Sequence, residues 1–366
     1  MPNREFADLQ RRFEARNEKV LNLEDPLLIF GAGRFARDLC KALQAQGYLV
    51  LGFVETTPIT NEVLGLPVMT LGESSLHQGS ASLCLGILNR GCAMNELVWL
   101  AHASGWSNLV MPWQIYDAFG YHLGWRFWLG SREKLLANLE RVESVSARLA
   151  DAGSREIVKR ICGFRLGVDL DYAGCISNEP QYFNALTLPA LPAKPCLVDC
   201  GAYNGDTFHA FAHAANCGEA YLFEPDPANF RSLCEAVRNT PAVCLPLAVS
   251  DSYSILSFNA GDGEGGAIVA TGNAHVAAAA LDDMLPGTLV DFLKLDVEGA
   301  EAVALRGARE LITRSRPVIA MSLYHKQEDL WELPELLFEF CPGYLFYVRQ
   351  HCYNSFDSVL YAVPER

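Results

Sequence analysis

The sequence predicts an α/β protein made of two Rossmann-like units joined by an aromatic-rich helical connector. Three observations carry this. A strand, a glycine turn, a helix and a second strand ending in an acid follow one another from Leu27 to Glu55, and the same order recurs from Cys196 to Glu224. Such units favour a parallel sheet with helices on its faces. Five of the six tryptophans (Trp99, Trp106, Trp113, Trp125 and Trp128) fall between Glu55 and Cys196, three of them in the connector itself. Pro189, Pro192 and Pro195 then stiffen the chain just before the second unit, because proline fixes φ.

Bulk properties bound the reading. A chain of 366 residues is long for one domain and natural for two. The expected divisions are an N-terminal helix over 1–25, a small Rossmann-like domain over 26–110, a helical connector and linker over 111–195, and a second domain over 196–366. Hydrophobic residues make up 50% and charged residues 20%, a globular composition. The net charge of −14 offers no general attraction to nucleic-acid phosphates or anionic lipid, and the lysines and arginines are scattered. No uncharged apolar run approaches the roughly 18 residues of a membrane span. The first residues are charged, with Phe6, Leu9, Phe13 and Val20 on one helical face, and lack the apolar core of a signal peptide. None of the twelve cysteines forms a Cys-x-x-Cys pair, so the usual zinc spacing is missing. These features together predict a cytoplasmic protein with free thiols. A homo-oligomer is compatible with them.

In the first unit, Leu27–Phe30 reads as a strand, Gly31-Ala-Gly33 as a tight turn, Arg34–Gln46 as a helix ended by Gly47, and Tyr48–Val54 as the second strand. Gly31-Ala-Gly-Arg-Phe-Ala36 matches the dinucleotide fingerprint, and Glu55 stands where the ribose-binding acid belongs. Further strands are expected at Val68–Thr70 and Ser82–Ile87, with a helix over Asn89–Ser104. The aromatic residues that follow either pack between domains or line a substrate groove. Ser131 to Phe164 reads as long helices.

The second unit is richer in chemistry. Asp199 stands near the end of an apolar strand, and Gly201 and Gly205 allow the backbone to turn sharply against a ligand. That is where open α/β sheets bind ligands. Asp206 and Thr207 can cap the following helix. Glu224 ends the next strand, where a carboxylate accepts bonds from ribose hydroxyls, and Pro225 and Pro227 fix the turn presenting it. A third strand is read over Val243–Val249. The glycines Gly261, Gly263, Gly265, Gly266 and Gly272 mark a lid or a long hairpin loop. In a fourth strand, alternation puts Lys294, Asp296 and Glu298 on one face. Three charges cannot be buried unpaired, so they are expected to pair at the strand end, with Lys294 holding both acids ionised. Glu301 opens the next helix, where an acid suits the dipole.

Val198-Asp-Cys-Gly-Ala-Tyr-Asn-Gly-Asp-Thr207, Phe223-Glu-Pro-Asp-Pro227, Leu247-Ala-Val-Ser-Asp251 and Phe292-Leu-Lys-Leu-Asp-Val-Glu-Gly-Ala-Glu301 resemble, in order and spacing, the successive motifs of the FkbM methyltransferase family. The resemblance spans roughly residues 180 to 363. It implies a seven-stranded class I methyltransferase sheet and S-adenosylmethionine (SAM) as cofactor. It also implies O-methylation of a hydroxyl on a sugar, glycoconjugate precursor or natural product. Cofactor contacts would come from Asp199, Gly201, Tyr203, Asn204, Gly205, Thr207, Glu224 and Asp226, with Asp296 and Glu298 near the methyl group. Leu323-Tyr-His-Lys-Gln-Glu-Asp-Leu-Trp331 resembles a segment of one subgroup.

Oxygen methylation requires alignment of the reacting atoms and removal of a proton. His325, at a strand's carboxyl end, is the first candidate base; Asp296 and Glu298 are rivals, either as bases or as ligands of a divalent metal that the sequence does not itself support. His209 and His213 share a helix face without a clear third metal ligand, and His351 stands further off. The rival reading rests on Gly31, Gly33 and Glu55. It is an NAD-dependent oxidoreductase or a nucleotide-sugar-binding, sugar-modifying protein, with a ligand-free scaffold as the third option.

Overall fold

The computed structural model describes residues 4–18, 21–171, 173–261 and 266–365. Val20, Gly263 and Gly265 lie outside the described residues. The chain divides into two compact units. The first holds the residues up to Glu143, Ile157–Ile176 and Cys352–Phe356; the second holds Ser144–Glu156, Ser177–His351 and the chain from Asp357 on.

The first unit contains a six-stranded sheet of β1 (Leu27–Phe30), β2 (Val50–Glu55), β3 (Glu62–Val63), β4 (Leu66–Thr70), β5 (Ser82–Leu85) and β6 (Leu109–Val110). Its order is β3-β4-β2-β1-β5-β6, and only the β3–β4 pair is antiparallel. β1 therefore lies between β2 and β5, and the strand order reverses at its carboxyl end. All four β1 residues are buried, as expected of a central parallel strand. Trp106, Trp113 and Trp128 are buried, and Trp113 and Trp128 meet Phe164 edge-on, whereas Trp99 and Tyr121 face solvent.

The expected long helices are three shorter ones: Arg132–Ala137, Leu139–Ala147 and Ala152–Arg165. Asp151 explains the last break, because its carboxylate accepts the Ser154 amide at 2.7 Å and starts a new helix.

The second unit is built on β7 (Cys196–Cys200), β8 (Glu219–Phe223), β9 (Ala242–Leu245), β10 (Ala248–Val249), β11 (Ser254–Asn259), β12 (Ala267–Ile268), β13 (Ala274–Ala279), β14 (Phe292–Leu295), β15 (Val318–Ser322), β16 (Tyr344–Gln350) and β17 (Ser358–Pro364). Seven of them form one sheet, ordered β16-β17-β15-β14-β7-β8-β9, in which β17 runs antiparallel to both neighbours. β10, β13, β11 and β12 form a separate four-stranded sheet. The single strand expected over Val243–Val249 is thus two strands in two sheets. Pro246 lies between them, and proline cannot donate to a strand ladder. Pro189 lies in a short 3-10 turn whose neighbours Leu188 and Leu191 pack on the second unit's core.

All twelve cysteines are free. Among the described residues, no helix is long and apolar enough to cross a membrane.

Candidate active site

The site gathers at the carboxyl ends of β7, β8, β14 and β15. β7 and β14 pair in parallel, with Asp199 opposite Lys294. Both side chains are buried, and the Lys294 ammonium donates to Asp199 Oδ1 and to the Gly201 carbonyl, each at 2.8 Å. The partner of Lys294 is therefore Asp199, not the acids that follow it in sequence. Burial pushes the Asp199 carboxyl up to about 6 against the pull of Lys294. Burial also opposes the Lys294 charge, but Asp199 and Asp296 overcome it and raise the ammonium well above its ordinary value. The pair is ionised at neutral pH. It fixes the glycine turn from beneath, because the same ammonium holds the Gly201 carbonyl.

Gly201 has φ +82°, and a Cβ there would collide with the Asp296 carbonyl oxygen. Gly205 has φ +88° and is itself the cap position of helix Asp206–Ala214. Asp206 is the first helical residue, not the cap; its carboxylate accepts the Thr207 amide at 2.6 Å. Asn204 accepts the Asp206 amide at 3.1 Å. Tyr203 holds a left-handed φ of +48°. Glu224 reaches back from the end of β8: one oxygen accepts the Tyr203 amide and the other the Asp226 amide, both at 2.8 Å. Burial pushes Glu224 up to about 7, although the two amides pull it back. Asp226 is buried and caps helix Pro227–Ala236 through the Ala228 and Asn229 amides, and it also accepts the Gly261 amide at 2.7 Å.

β14 stops at Leu295, so strand alternation does not carry Asp296 and Glu298 onto the Lys294 face. They lie on the turn beyond it, where Glu298 has a left-handed φ of +49°. The turn still brings both acids to His325. Its Nε2 lies 3.3 Å from Asp296 Oδ1 and 3.7 Å from Glu298 Oε2, while Nδ1 lies 2.7 Å from Glu301 Oε1. Glu301 is fully buried and also accepts the Val297 amide at 2.9 Å, so it does more than face a helix dipole. Asp296 accepts the Ser322 hydroxyl at 2.6 Å and the Tyr182 hydroxyl at 3.0 Å. Burial opposes ionisation of Asp296, but Lys294, His325 and the two hydroxyls hold it below the usual carboxylate range. Burial also opposes a charged His325, yet Glu298, Glu301 and Asp296 carry it up to about 10. Burial and the neighbouring Glu301 push Asp329 up to about 8.

Sequence reading missed Tyr182, Ser322 and Asp329, and undervalued Glu301. Glu301 stood three residues past Glu298 in the same motif and Asp329 stood in the Leu323–Trp331 segment, whereas Tyr182 and Ser322 carried no signal. His351 lies elsewhere, 2.8 Å from the Tyr361 hydroxyl, and His209 and His213 are exposed on their helix. Among the described residues, no group of three or more His, Cys, Asp or Glu side chains has the geometry to hold a metal ion.

In the first unit, Gly31 has φ +103°, and a Cβ there would approach Ile87 to 2.6 Å. Gly33 precedes helix Arg34–Ala45 with open space around it. Glu55 ends β2.

Residues 199–353 match the family described as the methyltransferase FkbM domain. The crystal structure of methyltransferase FkbM from Methylobacillus flagellatus KT is similar to 97% of this chain over 93% of its own length, with a TM-score of 0.75 and 20% identity. That likeness is one of fold, and it extends through both units. A protein from Clostridium thermocellum described as an rRNA methylase aligns with 49% of this chain and 92% of its own, at 10% identity and a TM-score of 0.31, and carries no argument. No curated protein matches the chain.

Proposed function

We propose that this FkbM methyltransferase domain, residues 199–353, uses SAM to methylate a hydroxyl of a sugar, glycoconjugate precursor or natural product. The observation that carries the cofactor is the buried Asp199–Lys294 pair beneath the Gly201 turn, with Glu224 at the tip of the adjacent strand. The residues fit the group. Asp199 Oδ2 is buried without a hydrogen-bond partner among the described residues, an acceptor left over beside the turn. Gly201 and Gly205 supply a backbone without side chains. Glu224 uses one lone pair on each oxygen for an amide and retains others for ribose hydroxyls. When bound, SAM supplies an activated methyl group on sulfur. The protein's part is to align the acceptor oxygen with that carbon, which contributes on the order of 7–11 kcal/mol in favourable cases, and to receive the hydroxyl proton.

Incubation with isotopically labelled SAM and a panel of sugars and nucleotide sugars, followed by mass analysis, tests this reading. A labelled product is expected, with the label on oxygen. Thermal-shift titration with SAM, S-adenosylhomocysteine, NAD and UDP-sugars tests the cofactor separately, since ligands of the native state stabilise it. One observation supports a second ligand in the first unit. Its strand order reverses at β1, and the Gly31 turn follows that strand, which is where open sheets bind nucleotides. A thermal shift with NAD alone would replace the methyltransferase reading by the oxidoreductase one.

A further inference from the structure

Two cysteines of the second unit meet at the edge of its seven-stranded sheet. Cys244 stands on the edge strand β9, opposite Leu222 of β8. Cys234 stands on helix Pro227–Ala236, whose Phe230 and Leu233 pack on the same core as Leu222 and Cys244. The backbones of this helix and β9 approach within 8 Å. The two thiols lie within hydrogen-bonding reach of each other. Among the described residues, Cys234 is the one exposed cysteine, and Cys244 is half-buried. Cys196 also feels a second cysteine, Cys217, but Cys196 is buried and the Cys217 sulfur is turned to the Glu219 carbonyl at 3.5 Å. Sulfur contact and solvent access coincide at Cys234 and Cys244. Both elements also brace the strand-end acid and the glycine turn. Leu245, next to Cys244, accepts the Glu224 amide at 3.1 Å. Leu233, next to Cys234, lies 3.2 Å from where a Cβ on Gly205 would stand.

We propose that Cys234 and Cys244 are a reversible modification site, closing to an intramolecular disulfide by exchange with a low-molecular-weight disulfide and clamping helix Pro227–Ala236 to β9 behind Glu224. The site is independent of the methyltransferase reading. Exchange proceeds by thiolate attack through a mixed disulfide. Exposed Cys234 loses its proton to solvent and attacks one sulfur of the small disulfide; its new S–S bond forms as the small S–S bond breaks, and one thiolate leaves. Cys244 then loses its proton, attacks the Cys234 sulfur and expels the second thiolate. Two protein thiols are oxidised, and the small disulfide is reduced to two thiols. Burial pushes the Cys244 thiol up to about 11, and the neighbouring Cys234 adds to the rise. Cys234 carries no charge in the mixed disulfide, so its part of that rise disappears when Cys244 must attack.

The test treats the reduced full chain with oxidised glutathione, blocks the remaining thiols and digests with trypsin without reduction. Arg238 separates Cys234 from Cys244, so a bridge joins two peptides. That joined pair is expected, in a protein lighter by two hydrogen atoms and restored by dithiothreitol. Cys244→Ala should instead arrest Cys234 as a glutathione adduct, and Cys234→Ser should leave Cys244 unmodified. Glutathione on wild-type Cys234 without a bridge, or a bridge to another cysteine, would overturn the proposal. The bridged protein should also unfold at higher urea, because a cross-link constrains the unfolded chain; a lower midpoint would show that the native pair cannot take disulfide geometry. Hydrogen exchange at the Glu224 amide should slow on bridging, and an unchanged rate would remove the clamp.

Discussion

The two glycine turns of this chain share a plan and differ beneath the backbone. In the second unit the residue two before the first glycine is Asp199, and its register partner on the next strand is Lys294. In the first unit the same two places hold Ile29 and Cys84, also in parallel register and also buried. One turn rests on a buried ion pair that holds the Gly201 carbonyl; the other rests on apolar side chains. The strand-end acids differ likewise. Glu224 turns back to accept two turn amides, whereas Glu55 makes no such bond among the described residues. A glycine fingerprint thus records a backbone path, and the charges under it record a use. A buried ion pair is poor evidence for stability, because desolvation offsets its attraction. Its retention beneath one turn only is what marks that turn.

The largest test of this contrast removes one member of the pair. Lys294→Met leaves Asp199 buried without its counter-ion and should cost about 3–5 kcal/mol in urea unfolding. Writing the first unit's pair into the second, as Asp199→Ile with Lys294→Cys, should recover part of that stability while abolishing SAM binding. Full binding in the double variant would show the pair to be structural only. The glycines come next. Gly201→Ala meets both a left-handed φ and the Asp296 carbonyl, and should cost at least about 1–3 kcal/mol. Gly33→Ala, with φ −71° and open space, should stay within about 0.5 kcal/mol.

A smaller effect follows from protons held by the second unit. His325 is carried from 6.5 up to about 10, so its stabilising charge is fully present below pH 6.5 and lost as pH rises through 10. Glu224 and Asp329 are pushed up to about 7 and about 8, so the native state again holds protons that the unfolded chain has released. All three make stability fall as pH rises, Glu224 up to about pH 7, Asp329 up to about 8 and His325 up to about 10. The melting temperature should drop between pH 7 and 10, and His325→Gln should flatten the upper part of that curve. A melting temperature independent of pH over this range would contradict the charged cluster. The smallest effects compare the two acids. Glu224→Gln should weaken SAM binding about 10-fold, as for a lost charged hydrogen bond, and Glu55→Gln should leave it unchanged; calorimetry on both separates the turns.

Much of the fold was legible because it follows local rules. The glycine turns, the helices after them and the strand-end acids were readable from short spacings, and β1, β2, β7 and β8 stand where apolar runs put them. The four-stranded sheet was not. β10 and β12 have two residues each, and the pairing of the longer β11 and β13, such as Ser254 with Ala278, depends on chain reversal rather than on pattern. The four motifs held most of the residues that gather at the strand ends, but did not reveal their inner partners. Alternation implied one charged face, yet β14 ended before Asp296 and the left-handed Glu298 re-aimed the chain.

The sequence by itself determined the α/β class, the repeated turn, the FkbM resemblance and the set of charged residues that must find partners, because each depends on neighbours within a few residues. Only the tertiary structure decided who those partners are. Lys294 meets Asp199 because parallel strands far apart in the chain come into register. Tyr182 and Ser322 reach Asp296, and Glu301 reaches His325, only once the strand ends converge. Burial at that convergence also sets the charges, through desolvation and the fields of near neighbours, and neither exists in an unfolded chain.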